Sequence, residues 1–251
     1  MGALLPVLSS DFRFEDDGGA MLLAAAGAGS AIGALLVADA ERWLGRRSLL
    51  AVSLAIFVLT SAAHLLVGSY PALLAARAMS GFSSGLAYAT ASAVAADLAP
   101  YDRRAAVMGK FNAGLFLAIP VGMPVTVLLS SMGLWQITFV MQAAIGAAAL
   151  VLSLKQVPSL SPTERGRRLP LLRNPGVCAV LLATMLHVGS FFTVIQLATS
   201  WLDREGIVEK RDQVWVWVGL GALSVVGSAL FGRLADRFGK QRFVLVTSGL
   251  L

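Results

Sequence analysis

The stretch that decides the fold is Gly232-Arg233-Leu234-Ala235-Asp236-Arg237-Phe238-Gly239-Lys240-Gln241-Arg242, a short cationic turn between two apolar segments. A degraded copy, Asp39-Ala40-Glu41-Arg42-Trp43-Leu44-Gly45-Arg46-Arg47, occurs earlier in the chain. The closing glycines of the two copies, Gly45 and Gly239, lie 194 residues apart. That spacing is far longer than the roughly 20–50-residue period of solenoid repeats. It indicates two homologous halves, each with the same loop between two spans.

The composition predicts an integral membrane protein. Apolar residues make up 57% of the chain and the mean hydropathy is +0.77, whereas charged residues fall to 14%, against about 25% in soluble domains. The net charge of +6 does not indicate a nucleic-acid partner, because the cations are not gathered on one face or tail. The single cysteine, Cys178, lies in an apolar stretch, which excludes a disulfide framework and a cysteine metal site.

Apolar segments of about 20 residues, the length that a bilayer requires, divide the chain. Residues 2–8 are interpreted as the last turns of span one, and residues 243–251 as the first turns of span nine. Spans two to eight are predicted at 18–38, 48–67, 70–96, 105–129, 134–154, 176–199 and 214–231. The predicted fold is therefore all-α, a polytopic helical bundle. Its first half lies in residues 1–154, a cationic linker in 155–174 and an incomplete second half in 175–251.

The charge distribution predicts the orientation in the membrane. The connections after spans two, four, six and eight hold 15 of the 20 Lys and Arg residues, so the positive-inside rule places these even-numbered loops in the cytoplasm. Tryptophans near the opposite ends fit an interfacial aromatic belt and agree with this orientation: Trp135, Trp201, Trp215 and Trp217.

The pattern Gly-x-x-x-Asp-Arg-x-Gly-(Arg/Lys) resembles the loop signature of the major facilitator superfamily. The second copy supplies Gly232, Asp236, Arg237, Gly239 and Lys240, and the first keeps only Gly45, Arg46 and Arg47. The resemblance implies a twelve-span secondary transporter of a small molecule that works by alternating access. On that count the chain covers the end of span one to the start of span nine, as a fragment or a truncated product.

Span five indicates a branch of the family. Its residues Gly114, Pro120, Gly122 and Pro124 resemble the antiporter motif of drug and sugar efflux members, although Thr126 replaces the last glycine. The resemblance implies proton-coupled efflux. The alternative is that these residues only kink and pack the helix.

Arg77 lies inside span four, about seven residues from its outer end, or roughly 10 Å deep at 1.5 Å per residue. An intramembrane arginine costs about 2.5–3.5 kcal/mol on insertion scales, so we expect it to face a partner or a wet cavity on the substrate and coupling pathway. The alternative is that it snorkels to the interface. Gly81 and Gly85 follow at four-residue spacing, which predicts close helix packing.

Two further features bear on mechanism. Asp236 lies at the cytoplasmic end of span eight, where it is predicted to latch the halves against the positive N-terminus of span five, as the corresponding acid does in the family. The alternative is a solvated loop acid. A histidine within a span can relay protons near neutral pH, so His187 and His64 are candidate proton carriers, with hydrogen-bonded packing as the alternative. No Asp or Glu lies in the middle of a predicted span, so a carboxylate that carries the coupling proton would belong to a missing span, or the mechanism differs.

Together these features predict a monomeric, proton-coupled efflux transporter in the cell membrane. Its partners would be a small-molecule substrate, protons and the lipid bilayer, without nucleic acid, metal or cofactor. Catalytic motifs such as a phosphate-binding loop or a zinc-binding helix do not occur, so no enzyme activity is expected. Two alternatives stay open: an uptake facilitator or symporter for a sugar or organic anion, and a non-transporting truncated product.

Overall fold

The described part of the chain is helical and contains no strand. The computed structural model describes residues 4–14, 16–158 and 212–239, together with individual positions between 174 and 206. The predicted all-α class is thus confirmed. The α-helices are α1 (Leu5–Phe12), α2 (Asp16–Leu44), α3 (Arg46–Ala63), α4 (Tyr70–Leu98), α5 (Arg104–Phe116), α6 (Met123–Ser131), α7 (Trp135–Gln156) and α8 (Gln213–Phe238).

The segments that join the helices explain where spans end. A 3-10 turn (His64–Leu66) follows α3, another (Tyr101–Arg103) precedes α5, and a π-helix (Ala118–Gly122) joins α5 to α6. The closing glycine of each loop copy adopts a positive φ, 70° at Gly45 and 91° at Gly239. Residues with a Cβ rarely adopt this conformation, so glycine allows the chain to leave α2 and α8 abruptly.

Within the described residues, five helices are long and apolar enough to cross a membrane. Their ranges are Asp17–Leu44, Arg46–Leu66, Tyr101–Ser131, Trp135–Gln156 and Val214–Phe238. The helix α4 is as long as α2, at 29 residues, but Arg77 and several serines make it more polar, and it is not among the five. Packing against α2 and α3 gives this less apolar span its protein neighbours.

Several predicted boundaries change in the structure. The first helix ends at Phe12 rather than at residue 8, and span five contains a π-helical segment between α5 and α6. Predicted span seven (176–199) is described only in part. His187, Lys240 and most of the linker at 155–174 lie outside the described residues.

The predicted first half, residues 1–154, contains two closely packed helix pairs. The helices α2 and α4 run parallel, and a Cβ added to Gly81 or Gly85 would lie 2.7 Å from the carbonyl carbon of Ala26 or Ser30. The helices α3 and α7 run antiparallel, with Gly146 of α7 against the ring of Phe57. Small residues let helix backbones approach this closely, which strengthens dispersion contacts between spans in lipid.

An apolar cluster closes the outer end of this half. It joins α1, α2, α4 and α7 through Leu4, Leu8, Leu22, Leu73, Trp135 and Phe139. The indole Nε1 of Trp135 donates a hydrogen bond of 2.7 Å to Asp11, and the hydroxyl of Tyr70 donates one of 2.9 Å to the Gly18 carbonyl. These contacts fix the position of α4, which carries Arg77.

Candidate functional site

The C-terminal end of α8 lies against the start of α5, and a carboxylate joins them. Asp236 accepts a 3.2 Å hydrogen bond from the backbone N–H of Ala105 at Oδ1 and a 2.6 Å bond from that of Ala106 at Oδ2. The first N–H groups of a helix have no acceptor within the helix, and the helix dipole adds positive charge there. Asp236 of the second half therefore caps a helix of the first half.

Glycines hold the two helices close beside this contact. A Cβ on Gly232 would lie 2.6 Å from the Ala105 carbonyl oxygen and 3.1 Å from the Cα of Gly109. The hydroxyl of Ser228 donates a 2.9 Å hydrogen bond to the Gly109 carbonyl. Thus Gly232 and Asp236, both from the loop motif, meet the same turn of α5.

The antiporter-like segment of span five lies further out along the same interface. Pro120 falls in the π-helix, and a Cβ on Gly221 of α8 would lie 2.6 Å from its nitrogen. Pro124 lies in the first turn of α6, which continues directly from the π-helix through a bond from the Met123 N–H to the Ile119 carbonyl, so the missing N–H of Pro124 removes a helical bond at this junction. Gly114 and Gly122 have no described atom near their Cβ positions, so the structure does not place them in close packing. Of the four, Pro120 contacts the second half.

A tryptophan covers this bend, which was not anticipated from the sequence. Trp217 of α8 is 1% exposed and packs with Ile119 of the π-helix, beside Phe116 and Met123. The sequence suggested only an interfacial ring near the membrane surface. The sequence did contain a signal for this contact, because Trp217 lies four residues inside predicted span eight and predicted span five contains prolines.

The first loop copy makes contacts within one half. Arg46, only 4% exposed, forms ion pairs with Glu41 at 3.4 Å and with Asp97 at the end of α4. Arg47 donates a hydrogen bond to the Leu154 carbonyl of α7. These contacts join α2, α3, α4 and α7, whereas the second copy joins the two halves. Sequence reasoning did not identify Asp97 as the partner of Arg46.

Arg77 is buried within the first half. Its side chain is 9% exposed, and its Nε has no hydrogen-bond partner among the described residues. Ser84 and Tyr88 follow at i+7 and i+11, on the same face of α4. The hydroxyl of Tyr88 donates a 3.1 Å hydrogen bond to Asn112 of α5, so this face looks toward span five.

The other predicted coupling residues differ in how far the structure describes them. His64 is 1% exposed, stacks on Phe139 with ring centroids 4.2 Å apart, and pairs through Nδ1 with the Thr60 carbonyl. His187 and Lys240, by contrast, lie outside the described residues. In the part of the chain that the structure covers, no three His, Cys, Asp or Glu side chains form a group able to hold a metal ion.

The sequence profile of the Major Facilitator Superfamily matches residues 1–251. The chain belongs to the Major Facilitator Superfamily. The resemblance of the two loop copies to this family's signature is therefore confirmed, and the chain is an integral membrane protein of a transporter family.

The curated relatives named below are longer than this chain. The inner membrane transport protein YdhP of Escherichia coli K12 is 28% identical over 240 residues, which cover 93% of this chain and 61% of YdhP. The uncharacterized MFS-type transporter YtbD of Bacillus subtilis is 25% identical over 93% of this chain and 60% of its own. A probable sugar efflux transporter of Mannheimia succiniciproducens is 27% identical over 83% of this chain and 53% of its own. The chain thus spans little more than half of their length.

The fold also resembles that of a solved major facilitator. The crystal structure of the human organic anion transporter MFSD10 (TETRAN) superposes with a TM-score of 0.66, over 92% of this chain and 68% of that one. The sequences are 19% identical, so this likeness supports the fold alone.

Proposed function

We propose that this chain is part of a secondary transporter that exports a small molecule from the cytoplasm in exchange for protons, by alternating access. The observation that carries the proposal is the cap that Asp236 of α8 forms on the N-terminus of α5. Alternating access requires contacts between the halves that close one side of the membrane and break when that side opens. A cap supplied by the other half is such a contact.

The proposed latch, the contact between Asp236 and the N-terminus of α5, lies on a defined side of the membrane. Positive-inside counting puts Asp236 and the start of α5 at the cytoplasmic face. An intact cap therefore favours the state closed to the cytoplasm. The close approach of Gly232 to Ala105 supports the same reading, because the carboxylate reaches both N–H groups only when the two backbones are near each other.

The π-helix in span five is a point at which the two halves can move relative to each other. A π-helix is rare, and where it occurs it frequently marks a functional site. Pro120 lies in this π-helix against Gly221, so α6 and α5 can change their relative angle at the interface with α8. This arrangement supports an antiporter role for the segment over simple packing.

Arg77 is the proposed coupling residue. Its burial at 9% exposure favours an interior position over snorkelling. A buried cation needs an opposite charge or strong acceptors, which a substrate or a partner can supply. Within the predicted spans of this chain, Arg77 and the two histidines are the candidate coupling groups, since none of these spans carries a carboxylate in its middle.

The names of the relatives indicate which substrates to test first and which membrane to assign to this protein. One relative is a probable sugar efflux transporter and another is an inner membrane transport protein. We therefore place this protein in the inner membrane and take sugars as the first substrates to test.

Everted membrane vesicles test the function directly. Respiration acidifies the lumen, and a proton-exchanging substrate then collapses the pH gradient, which acridine-orange fluorescence reports as dequenching. A panel of sugars, organic anions and lipophilic cations should contain a compound that dequenches in vesicles with the protein and not with an Asp236→Asn, Arg77→Ala double variant. If every compound gives equal signals in both, proton-coupled efflux is wrong.

A further inference from the structure

Five buried polar atoms lie near the outer end of the first half without a hydrogen-bond partner among the described residues. They come from α3, its following 3-10 turn, α4 and α7, and we call them the outer polar cluster: Ser61 Oγ, His64 Nε2, Arg77 Nε, Thr138 Oγ1 and Gln142 Oε1. Buried polar atoms of native proteins are nearly always paired, with protein or with water. Five together need an explanation.

Contacts on both sides place Ser61, His64 and Gln142 along one interface between α3 and α7. Gly146 of α7 meets Phe57 of α3, and Phe139 stacks on His64 seven residues further along each helix. Because the two helices run antiparallel, Ser61 and Gln142 lie at the same level between these contacts. Two helix faces therefore bring polar atoms together at one depth.

The fourth and fifth members border the same place. Thr138 lies one turn from Gln142 on α7, next to the ring of Phe139. Arg77 belongs to α4, and Leu73, one turn away on that helix, packs in the same apolar cluster as Phe139, on which His64 stacks. Asp11 of α1 accepts from the Trp135 indole one turn further out, and Arg13, Asp16 and Asp17 lie at the same end of the helices.

The hydrogen-bond roles of these atoms are fixed by their chemistry. The Thr60 carbonyl can only accept, so Nδ1 of neutral His64, 2.7 Å away, carries the proton and Nε2 is an acceptor. The Oε1 of Gln142 is a second acceptor, and the Nε–H of Arg77 is a donor. The hydroxyls of Ser61 and Thr138 can serve in either role.

Water matches this set and an anion does not. A water molecule offers two donors, for His64 and Gln142, and two acceptors, for Arg77 and a hydroxyl. Buried waters typically make about three such bonds to groups that lack other partners. An anion would instead meet the two acceptor atoms, which repel it.

We propose that the outer polar cluster binds one or two ordered water molecules that link Arg77 to His64 and Gln142 and hold its guanidinium in place. His64 and Gln142 are then positioning residues for Arg77. The hydration site is independent of the proposed function, and only its consequence for coupling rests on that function.

Thermal unfolding of the purified protein tests the hydration site. Gln142→Leu removes one of the water's acceptors and should lower the unfolding midpoint by about 2–4 °C. Gln136→Leu is the matched control, because Gln136 is exposed on the same helix, and it should change the midpoint little. If the atoms were merely unsatisfied, Leu at position 142 would relieve a penalty, and an unchanged or raised midpoint would overturn the proposal.

A double-mutant cycle tests the link to Arg77. In an Arg77→Met background, Gln142→Leu should lower the midpoint by no more than half as much as in the natural protein, because the shared water has already lost a partner. Equal losses in both backgrounds would refute the bridge.

Two further measurements separate the remaining outcomes. Exchange of chloride for gluconate should not shift the midpoint, and a chloride-dependent shift would identify an anion instead of water. Gln142→Leu should also impair proton-coupled transport as Arg77→Lys does. A lowered midpoint with normal transport would overturn the positioning role, whereas absence of transport in the natural protein would count against the proposed function alone.

Discussion

Loss of the Asp236 carboxylate charge should shift the protein toward the state open to the cytoplasm. Asn at position 236 keeps one acceptor oxygen, so at least one of the bonds to Ala105 and Ala106 is lost, together with the charge at the helix N-terminus. A partly buried charge at a helix end contributes about 1 kcal/mol and up to about 2 kcal/mol. The ratio of the two states should therefore change by a factor of about 5–30.

Distance measurements between spin labels report this shift. Labels at Arg103 and Phe238, both exposed at the cytoplasmic ends of the two helices, would be attached to cysteines in a Cys178→Ser background. Asp236→Asn should increase the population at the longer distance.

Asp39→Asn is the matched control for the charge change. Asp39 lies on the same face but pairs with Arg42 of its own helix, at 3.9 Å and largely exposed. It should leave the distribution unchanged. If the Asp236→Asn distribution also equals that of the natural protein, the latch does not exist and Asp236 is an ordinary loop acid.

Three other predictions concern the orientation, the coupling residue and the first loop copy. In a cysteine-free background, Trp43→Cys should resist an impermeant thiol reagent in intact cells while Ser69→Cys reacts; the reverse would invert the topology. Arg77→Ala should abolish proton-coupled transport without loss from the membrane, and Arg77→Lys should retain part of it, since lysine keeps the charge but not the planar fork; full activity in Arg77→Ala would leave only snorkelling. Arg46→Met removes the cation that pairs with Glu41 and Asp97 and should destabilise the protein by about 3–5 kcal/mol. Arg42→Met, at an exposed pair, should cost about 0–1 kcal/mol. Similar unfolding midpoints for the two variants would contradict the buried pairing.

The sequence by itself determined the features that depend on local chemistry. The length of apolar segments predicted helical spans, since a bilayer core leaves no other partner for the backbone N–H and C=O groups. The asymmetry of Lys and Arg predicted the orientation, and the repeated loop predicted the family. The predicted orientation also placed Asp236 and the start of span five on the same side of the membrane.

Tertiary packing decided which of the charged groups on one side of the membrane contact each other. Several acids and cations share the cytoplasmic face, and nothing local distinguishes Asp97 from Asp39 as the partner of Arg46. The hydrogen bonds of Asp236 join residues about 130 positions apart and exist only because glycines let α5 and α8 approach. The same holds for the π-helix against Gly221 and for the cluster around His64. Hydropathy and charge act on each segment separately, whereas these contacts depend on the relative rotation of helices, which only the packed structure defines.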